Sequence, residues 1–422
     1  MDDRFLAYKI LFKIEKDKAY SNLTLDSVLE REKAGHEPFV RALVYGVIER
    51  KITLDYILSS YLSQPIKKLK PQVLTVLRMG VYQIKFMDKV PVSAAVNESV
   101  KLIKNQGLSF ASGLVNSVLR KVAGNDIAYP EDEQSVEYLC IRYSCPKPLV
   151  ESYIKDYGAD NAIGILKTSL EVPPLTLRVN TLKITVEEIV TEFQKEGVKV
   201  TTCEPDGALV VEDGNVFDTS LYKKGYFHVQ DLASQMCIKA LEPVSGDTVL
   251  DMCSAPGGKA FTIAELMENT GEIYSFDLYS QRLSLIDSGA KRLGIDIIKT
   301  ETRDASKKYD DIPLADKILC DVPCSGLGVI RRKPEIKYKD FGFIDKLTDL
   351  QYNILCSAAA YLKPCGRLVY STCSLKKAEN EEVCKRFLEN HRDFSMLGGY
   401  PVTLMPHKDK TDGFFFAVFT KE

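Results

Sequence analysis

The 422-residue chain has no Cys-x-x-Cys pair, and its only histidines (His36, His228, His391 and His407) are scattered. A structural zinc site needs closely spaced thiol and imidazole ligands, so no metal centre is expected. No apolar run reaches the length that spans a bilayer. The opening Met1-Asp2-Asp3-Arg4 lacks the apolar stretch of a secretory leader. There is no G-x-G-x-x-G, which argues against a dinucleotide fingerprint. Internal repeats and low-complexity segments are absent as well. The eleven cysteines are an odd number in a long chain. That pattern opposes a disulfide framework and favours free thiols in a reducing cytoplasm.

What is present is ordinary in bulk and uneven in detail. Apolar content of 45% with 27% charged residues suits a folded chain of two or three domains. Residues 1–128 carry 20 Lys+Arg against 13 Asp+Glu, a net +7, so the remainder carries −9 of the total −2. A basic first domain suits a polyanion; the plainer reading is a solvated basic surface.

Residues 4–124 repeat apolar side chains at helical spacing (Leu6, Ile10, Leu11, Ile14; Val40, Leu43, Val44, Val47), punctuated by Pro65, Pro71, Pro91 and Gly107. This predicts an all-α bundle of five to seven helices. Gly124–Gln134 reads as a linker. Residues 129–225 mix helical and strand patterns and predict a small α+β domain. From residue 226 to 422, strand and helix alternate through Thr248–Asp251, Glu272–Phe276, Ala315–Cys320 and Arg367–Tyr370. That alternation predicts a doubly wound α/β sheet, with Phe414–Thr420 added antiparallel at its end.

Three segments carry chemistry. Asp251-Met252-Cys253-Ser254-Ala255-Pro256-Gly257-Gly258-Lys259 joins a strand to a helix, where small residues and free N–H groups admit a ligand. Asp277 ends the next strand, suited to ribose hydroxyls. Asp304 follows the third strand and suits an adenine amino group or a helix cap. Of the two cofactors with such a ribose, the loop favours S-adenosylmethionine over NAD. Asp321-Val322-Pro323-Cys324-Ser325-Gly326 and Ser371-Thr372-Cys373-Ser374 then place one thiol at each of two strand ends. A thiolate adding to C6 of cytosine turns C5 into a nucleophile, and a carboxylic acid at N3 favours the addition. Cys324, Cys373 and Asp321 are the right groups, and the residues alone do not say which thiol attacks. Cys140, Cys203, Cys237, Cys320, Cys356 and Cys384 read as small buried apolar residues. An amino-group methylase would carry an Asn/Asp-Pro-Pro-aromatic run where this chain has Asp-Val-Pro-Cys. A non-catalytic RNA-binding module is the other alternative.

These segments resemble the RsmB/Nop/Sun family of RNA (cytosine-5) methyltransferases. Leu177-Arg178-Val179-Asn180, Val229-Gln230-Asp231, Arg331–Ile336 and Asp412-Gly413-Phe414-Phe415-Phe416 add to the likeness. Residues 1–128 resemble a NusB-like RNA-binding domain through Leu77-Arg78-Met79-Gly80, Val90–Glu98 and Val115–Arg120. The resemblance implies a class I, Rossmann-like methyltransferase domain that binds S-adenosylmethionine. It implies Cys373 as nucleophile, Cys324 as the releasing thiol, and cofactor contacts from Cys253, Ser254, Ala255, Pro256, Gly257, Gly258, Lys259, Asp277, Asp304 and Asp321. The implied partner is 16S ribosomal RNA at an unpaired loop cytosine, with transfer RNA as the alternative. Arg331, Arg332 and Lys333, and Lys67, Lys68 and Lys70, are candidate phosphate contacts. One departure is Pro364-Cys365-Gly366, where the family has Pro-Gly-Gly.

Overall fold

Regular apolar spacing closes the first core. In α1 (Asp3–Asp17), Leu6, Ile10, Leu11 and Ile14 fall on one face and all are buried. Truncating one such side chain to alanine costs about 2–5 kcal/mol. α2 (Ser21–Arg31), α3 (Glu37–Glu49), α4 (Lys51–Ser59), α5 (Pro71–Phe86), α6 (Val92–Asn105) and α7 (Ser112–Ala123) pack onto the same core. Pro71 starts α5, where a missing N–H costs nothing. At Gly80 of α5 a Cβ would lie 2.5 Å from Leu119 of α7, so glycine is what lets these helices meet.

The structure is a computed structural model that describes residues 2–17, 21–340, 342 and 344–422. It divides into two compact units, Met1–Glu171 with Ile330–Lys339, and Val172–Val329 with Asp340–Glu422. α8 (Val136–Arg142), α9 (Lys147–Tyr157) and α10 (Ala159–Thr168) therefore belong with the helical bundle. The sequence boundary at 128/129 falls inside this unit. Hydrogen bonds explain why: Thr53 Oγ1 donates to the Ile141 carbonyl at 2.5 Å, and the Ile52 N–H donates to Ser144 Oγ at 2.9 Å. The ten residues Ile330–Lys339 return to the same unit. Glu335 accepts from the Ser21 N–H (3.1 Å) and hydroxyl (2.8 Å), and the buried Lys337 Nζ donates to the Glu49 carbonyl at 2.7 Å.

The second unit holds two sheets. The smaller has the order β2-β3-β1-β4, all antiparallel, from β1 (Leu175–Val179), β2 (Lys199–Cys203), β3 (Ala208–Asp213) and β4 (Phe227–Val229). α11 (Val186–Lys195), opened by a Thr185/Glu188 capping box, and the short α12 (Ser220–Lys224) accompany it. Its core is Leu177, Val179, Ile189, Phe193, Leu209 and Phe227.

The larger sheet follows α13 (Leu232–Leu241). Its elements are β5 (Thr248–Asp251), α14 (Gly258–Leu266), β6 (Glu272–Asp277), α15 (Ser280–Leu293), β7 (Ile298–Thr302), β8 (Ala315–Asp321), α16 (Ile344–Ala359), β9 (Leu362–Thr372), α17 (Glu381–Asn390), β10 (Phe394–Met396), β11 (Val402–Leu404), α18 (Pro406–Asp409) and β12 (Phe414–Lys421). The order is β10-β12-β9-β8-β5-β6-β7, with β11 also on β12. β7 to β9 are parallel, and β12 joins β9 antiparallel, as the sequence predicts. Alternate residues feed two cores: Val249, Leu319, Val369 and Val418 on one face, Leu250, Ile318, Leu368 and Phe419 on the other. Burial on both faces explains why these strands read as continuous apolar runs. The chain leaves β5 through β6 and β7, then returns to β8 on the other side of β5. Strand order thus reverses between β5 and β8, and ligands of open α/β sheets bind at such a switch point.

Candidate active site

The switch point opens a cavity of about 210 Å³ lined by Val229, Gln230, Asp231, Ser234, Asp251, Cys253, Ser254, Ala255, Pro256, Gly258, Lys259 and Asp321. Most of the nine-residue loop lies on it. Gly257 sits at φ +105°, and a Cβ there would strike the Phe261 ring at 2.7 Å, so this turn requires glycine. Two of the supporting motifs brace the cavity. Gln230 Nε2 donates to the Gly258 carbonyl at 3.0 Å, and Asp231 Oδ1 accepts the N–H groups of Ala233 (2.9 Å) and Asp412 (3.2 Å). Arg178 of β1 reaches Glu265 of α14 at 2.9 Å, with both side chains buried, and so ties the small sheet to α14.

Asp251 is the strongest electrostatic feature of the cavity. It is buried, and neither carboxyl oxygen has a hydrogen-bond partner among the described residues. Burial pushes its pKa up to about 7. Ser254 Oγ is likewise buried and unpartnered. A ligand that is cationic and carries N–H donors satisfies both, which is how an aminoacyl sulfonium such as S-adenosylmethionine fits this donor set.

Asp321 stands at the rim. Lys259 Nζ lies 2.8 Å from its Oδ2, and Ser371 Oγ donates to Oδ1 at 2.9 Å. Burial pulls the Lys259 ammonium pKa down, but the charge of Asp321 and the hydrogen bond to it outweigh burial and raise it. Asp277 and Asp304 do not line the cavity. Asp277 accepts the Tyr279 N–H at 3.0 Å and pairs with Arg282 at 2.9 Å. Asp304 accepts from the N–H (3.1 Å) and hydroxyl (2.6 Å) of Ser306 and pairs with Lys307 at 3.1 Å. It closes a turn rather than capping a helix.

The two thiols meet. Cys324 Sγ and Cys373 Sγ are 3.1 Å apart, both half-buried, on loops leaving the paired strands β8 and β9. The loops run together: the Val322 N–H donates to the Ser371 carbonyl (3.1 Å) and the Gly328 N–H to the Cys373 carbonyl (2.9 Å). A Cβ on Gly328 would lie 1.8 Å from the Gly413 carbonyl oxygen, which explains both glycines. The neighbouring Cys373 thiol, then burial, raise the Cys324 pKa well above the ordinary thiol value. Neither cysteine lines the cavity; Asp321, bonded to Ser371 two residues before Cys373, is the link.

Of the six cysteines read as buried, Cys237, Cys320 and Cys384 are buried, whereas Cys140, Cys203 and Cys356 are half-buried. Each of these three sits where its strand or helix face meets solvent. Arg331 and Arg332 are half-buried within the first unit, while Lys333, Lys67, Lys68 and Lys70 are exposed. The sequence reading missed Glu379 and Gln351. Gln351 lies with Ile344, Ile354, Leu355 and Ala358 on the buried face of α16 and is fully buried. A polar residue at a core position was the available signal. Among the described residues no group of His, Cys, Asp and Glu side chains is placed to hold a metal, and no helix is long and apolar enough to cross a membrane.

Comparison with known proteins agrees with this architecture. The family described as 16S rRNA methyltransferase RsmB/F matches residues 238–420, the NusB family residues 1–124, and the RsmF/B-like ferredoxin-like domain residues 145–216. Among curated proteins, the probable ribosomal RNA small subunit methyltransferase B of Bacillus subtilis is 36% identical over 99% of this chain and 98% of its own. That of Synechocystis is 33% identical over 99% of both. Among solved structures, PH0851 superposes with a TM-score of 0.83 at 27% identity, covering 100% of this chain and 99% of its own. NSun6 from Pyrococcus horikoshii, solved with SFG, gives 0.61 at 27% identity over 65% of this chain and 98% of its own. With a NusB-type bundle in front, a ferredoxin-like sheet between and both thiol loops behind, the chain belongs to the RsmB/F family of ribosomal RNA methyltransferases.

Proposed function

We propose that this protein transfers a methyl group from S-adenosylmethionine to C5 of an unpaired cytosine in 16S ribosomal RNA, through a transient bond between Cys373 and C6. The observation that carries this reading is the pair of thiols 3.1 Å apart on the loops that leave β8 and β9, next in the chain to Asp321 and Ser371, with Asp321 on the cavity. The bound cofactor supplies an electrophilic methyl. Asp251 and Ser254 would hold its cationic aminoacyl end, with Cys253–Lys259 around it; Asp277 and Asp304 keep lone pairs for the ribose and adenine.

The Cys373 thiolate adds to C6, and the ring electrons pass to C5, which takes the methyl. Asp321, braced by Lys259 and Ser371, hydrogen-bonds N3 and the exocyclic amine as charge builds on the ring. The C5 proton then leaves to a base, the electrons reform the C5–C6 bond, and the C6–S bond breaks to return the thiolate. Cys324, whose raised pKa keeps it an S–H at neutral pH, donates to the neighbouring sulfur and assists release. The likeness of Ser371-Thr372-Cys373-Ser374 to the family's Thr-Cys motif supports Cys373 as the attacking thiol. The base must be unstacked for both ring faces to be reached. The net +7 of residues 1–128 supports a polyanionic partner, and the names of the full-length relatives support small-subunit ribosomal RNA.

The test is labelled-methyl transfer to ribosomal RNA by single-cysteine variants. Cys373→Ala is expected to lose at least about 1,000-fold in rate while binding S-adenosylmethionine normally. Normal turnover by that variant overturns the mechanism. Bisulfite sequencing of RNA from cells with and without the protein locates the cytosine, and a site outside 16S RNA overturns the substrate.

A further inference from the structure

We propose that Glu379 is a positioning residue that sets the distance between the two thiols; this rests on reading Cys324 and Cys373 as the reacting pair. Glu379 ends the single turn Lys377–Glu379 between β9 and α17 and is fully buried. Its Oε1 accepts the Ser325 N–H (2.8 Å) and Gln351 Nε2 (3.0 Å). Its Oε2 accepts the hydroxyls of Ser325 (2.5 Å) and Ser374 (2.5 Å). Ser325 directly follows Cys324, and Ser374 directly follows Cys373. Gln351 also donates to the carbonyl of Pro323, the residue before Cys324, at 2.9 Å. One carboxylate therefore grips both thiol loops, with Ser325 Oγ and Ser374 Oγ 3.0 Å apart beneath it.

The neighbours of Glu379 hold the clamp itself. Tyr370 donates its hydroxyl to the Glu379 carbonyl at 2.5 Å. Asn380 accepts from Thr372 Oγ1 at 2.6 Å and donates to the Ser374 carbonyl at 2.9 Å. Burying a carboxylate is costly even when it is fully hydrogen-bonded, and packing alone is served as well by an apolar side chain. What the carboxylate adds is direction: three donors converge from the residues that follow the two cysteines, and a fourth comes from Gln351 of α16. The two sulfurs must serve one ring carbon in turn, and misplacing a reacting group by about 1 Å costs about 100-fold in rate.

The test is Glu379→Gln, which keeps the volume but replaces one double acceptor with an N–H₂. Three quantities are read on the full chain. S-adenosylmethionine affinity, measured by calorimetry, is expected to stay within about twofold, since residue 379 is not on the cavity. Methyl transfer is expected to lose about 10- to 100-fold in kcat with the RNA KM within about threefold. The third readout needs no methyl transfer: diamide joins Cys324 to Cys373 as the two thiol hydrogens pass to its azo bond. The rate of that bridging, followed by peptide mass spectrometry, is expected to fall about tenfold. Wild-type bridging together with wild-type kcat overturns the proposal. Slower bridging in a protein whose Cys373→Ala variant still turns over leaves the clamp standing and removes the thiol mechanism instead. If the Gln variant loses cofactor binding, Ser374→Ala, which deletes a single donor, carries the same three readouts, and unchanged bridging there also overturns the clamp.

Discussion

At the scale of single residues, Asp251 and Cys324 are two ionisable groups whose pKa values the fold raises through different leading causes, burial for Asp251 and the Cys373 thiol for Cys324. Asp251 holds a proton up to about pH 7 in the free protein because burial outweighs the neighbouring Ser254, Lys259 and Cys253 groups that act to lower its pKa. Its raised pKa favours the empty fold fully below the ordinary carboxylate value of 3.8, and that contribution is lost as pH rises through about 7. Binding a cationic ligand needs the ionised form, so the linkage runs the other way for affinity. S-adenosylmethionine should bind about tenfold more weakly for each pH unit below 7 and level off above it. Calorimetry between about pH 5.5 and 8.5 checks this, and Asp251→Asn should flatten the profile. A wild-type profile that is flat across that window removes Asp251 as the cation's partner. Cys324, by contrast, has its thiol pKa raised first by the Cys373 thiol beside it and then by burial.

At the scale of elements, β9 carries most of the site's geometry and one local irregularity. It runs eleven residues from Leu362 to Thr372 and pairs with β8 and β12 on its two sides. Its Cys365 has φ +60° and is exposed, with the pairing register to β8 slipping alongside. A left-handed non-glycine residue costs about 1–2 kcal/mol, part of which glycine returns as unfolded-chain entropy. Cys365→Gly should therefore slow hydrogen exchange of the β9 amides about two- to fivefold, equivalent to about 0.5–1 kcal/mol. Faster exchange contradicts the strain.

The same strand shows what a sequence can and cannot convey. The apolar run Arg367–Tyr370 announced it because both faces are buried; Leu362–Gly366 did not, because Pro364 and Gly366 read as breakers. α15 carries its signal in the sequence, an amphipathic period closed by Gly294. The three-residue strands β10 and β11 were not legible, being too short to show a period. Asp321, Lys259 and both cysteines were legible because strand ends and turn-forming residues mark chemistry. Glu379 was not. A glutamate just before a helix reads as a favourable end charge, and only the folded loops bring Ser325 and Ser374 to it.

At the scale of the molecule, the chain builds two compact units and passes between them three times, after Glu171, after Val329 and after Lys339. The chain makes the Cys324 loop in the second unit, then sends Ile330–Lys339 into the core of the first before returning. That detour was invisible in the sequence, because Arg331, Arg332 and Lys333 read as phosphate contacts; Ser21 and Glu49, which receive Glu335 and Lys337, lie some 300 residues upstream. The basic bundle and the thiol-bearing sheet are thus consecutive in sequence only in part.

The most direct measurement is the identity of the sulfur bonded to RNA. Cys324→Ala protein is incubated with S-adenosylmethionine and 16S RNA and denatured, and the RNA-linked peptide is sequenced by mass spectrometry. The account predicts a stable adduct in this variant, carried by Cys373 on C6 of a C5-methylated cytosine. An adduct on any other residue, or full methylation with Cys373 replaced, contradicts it.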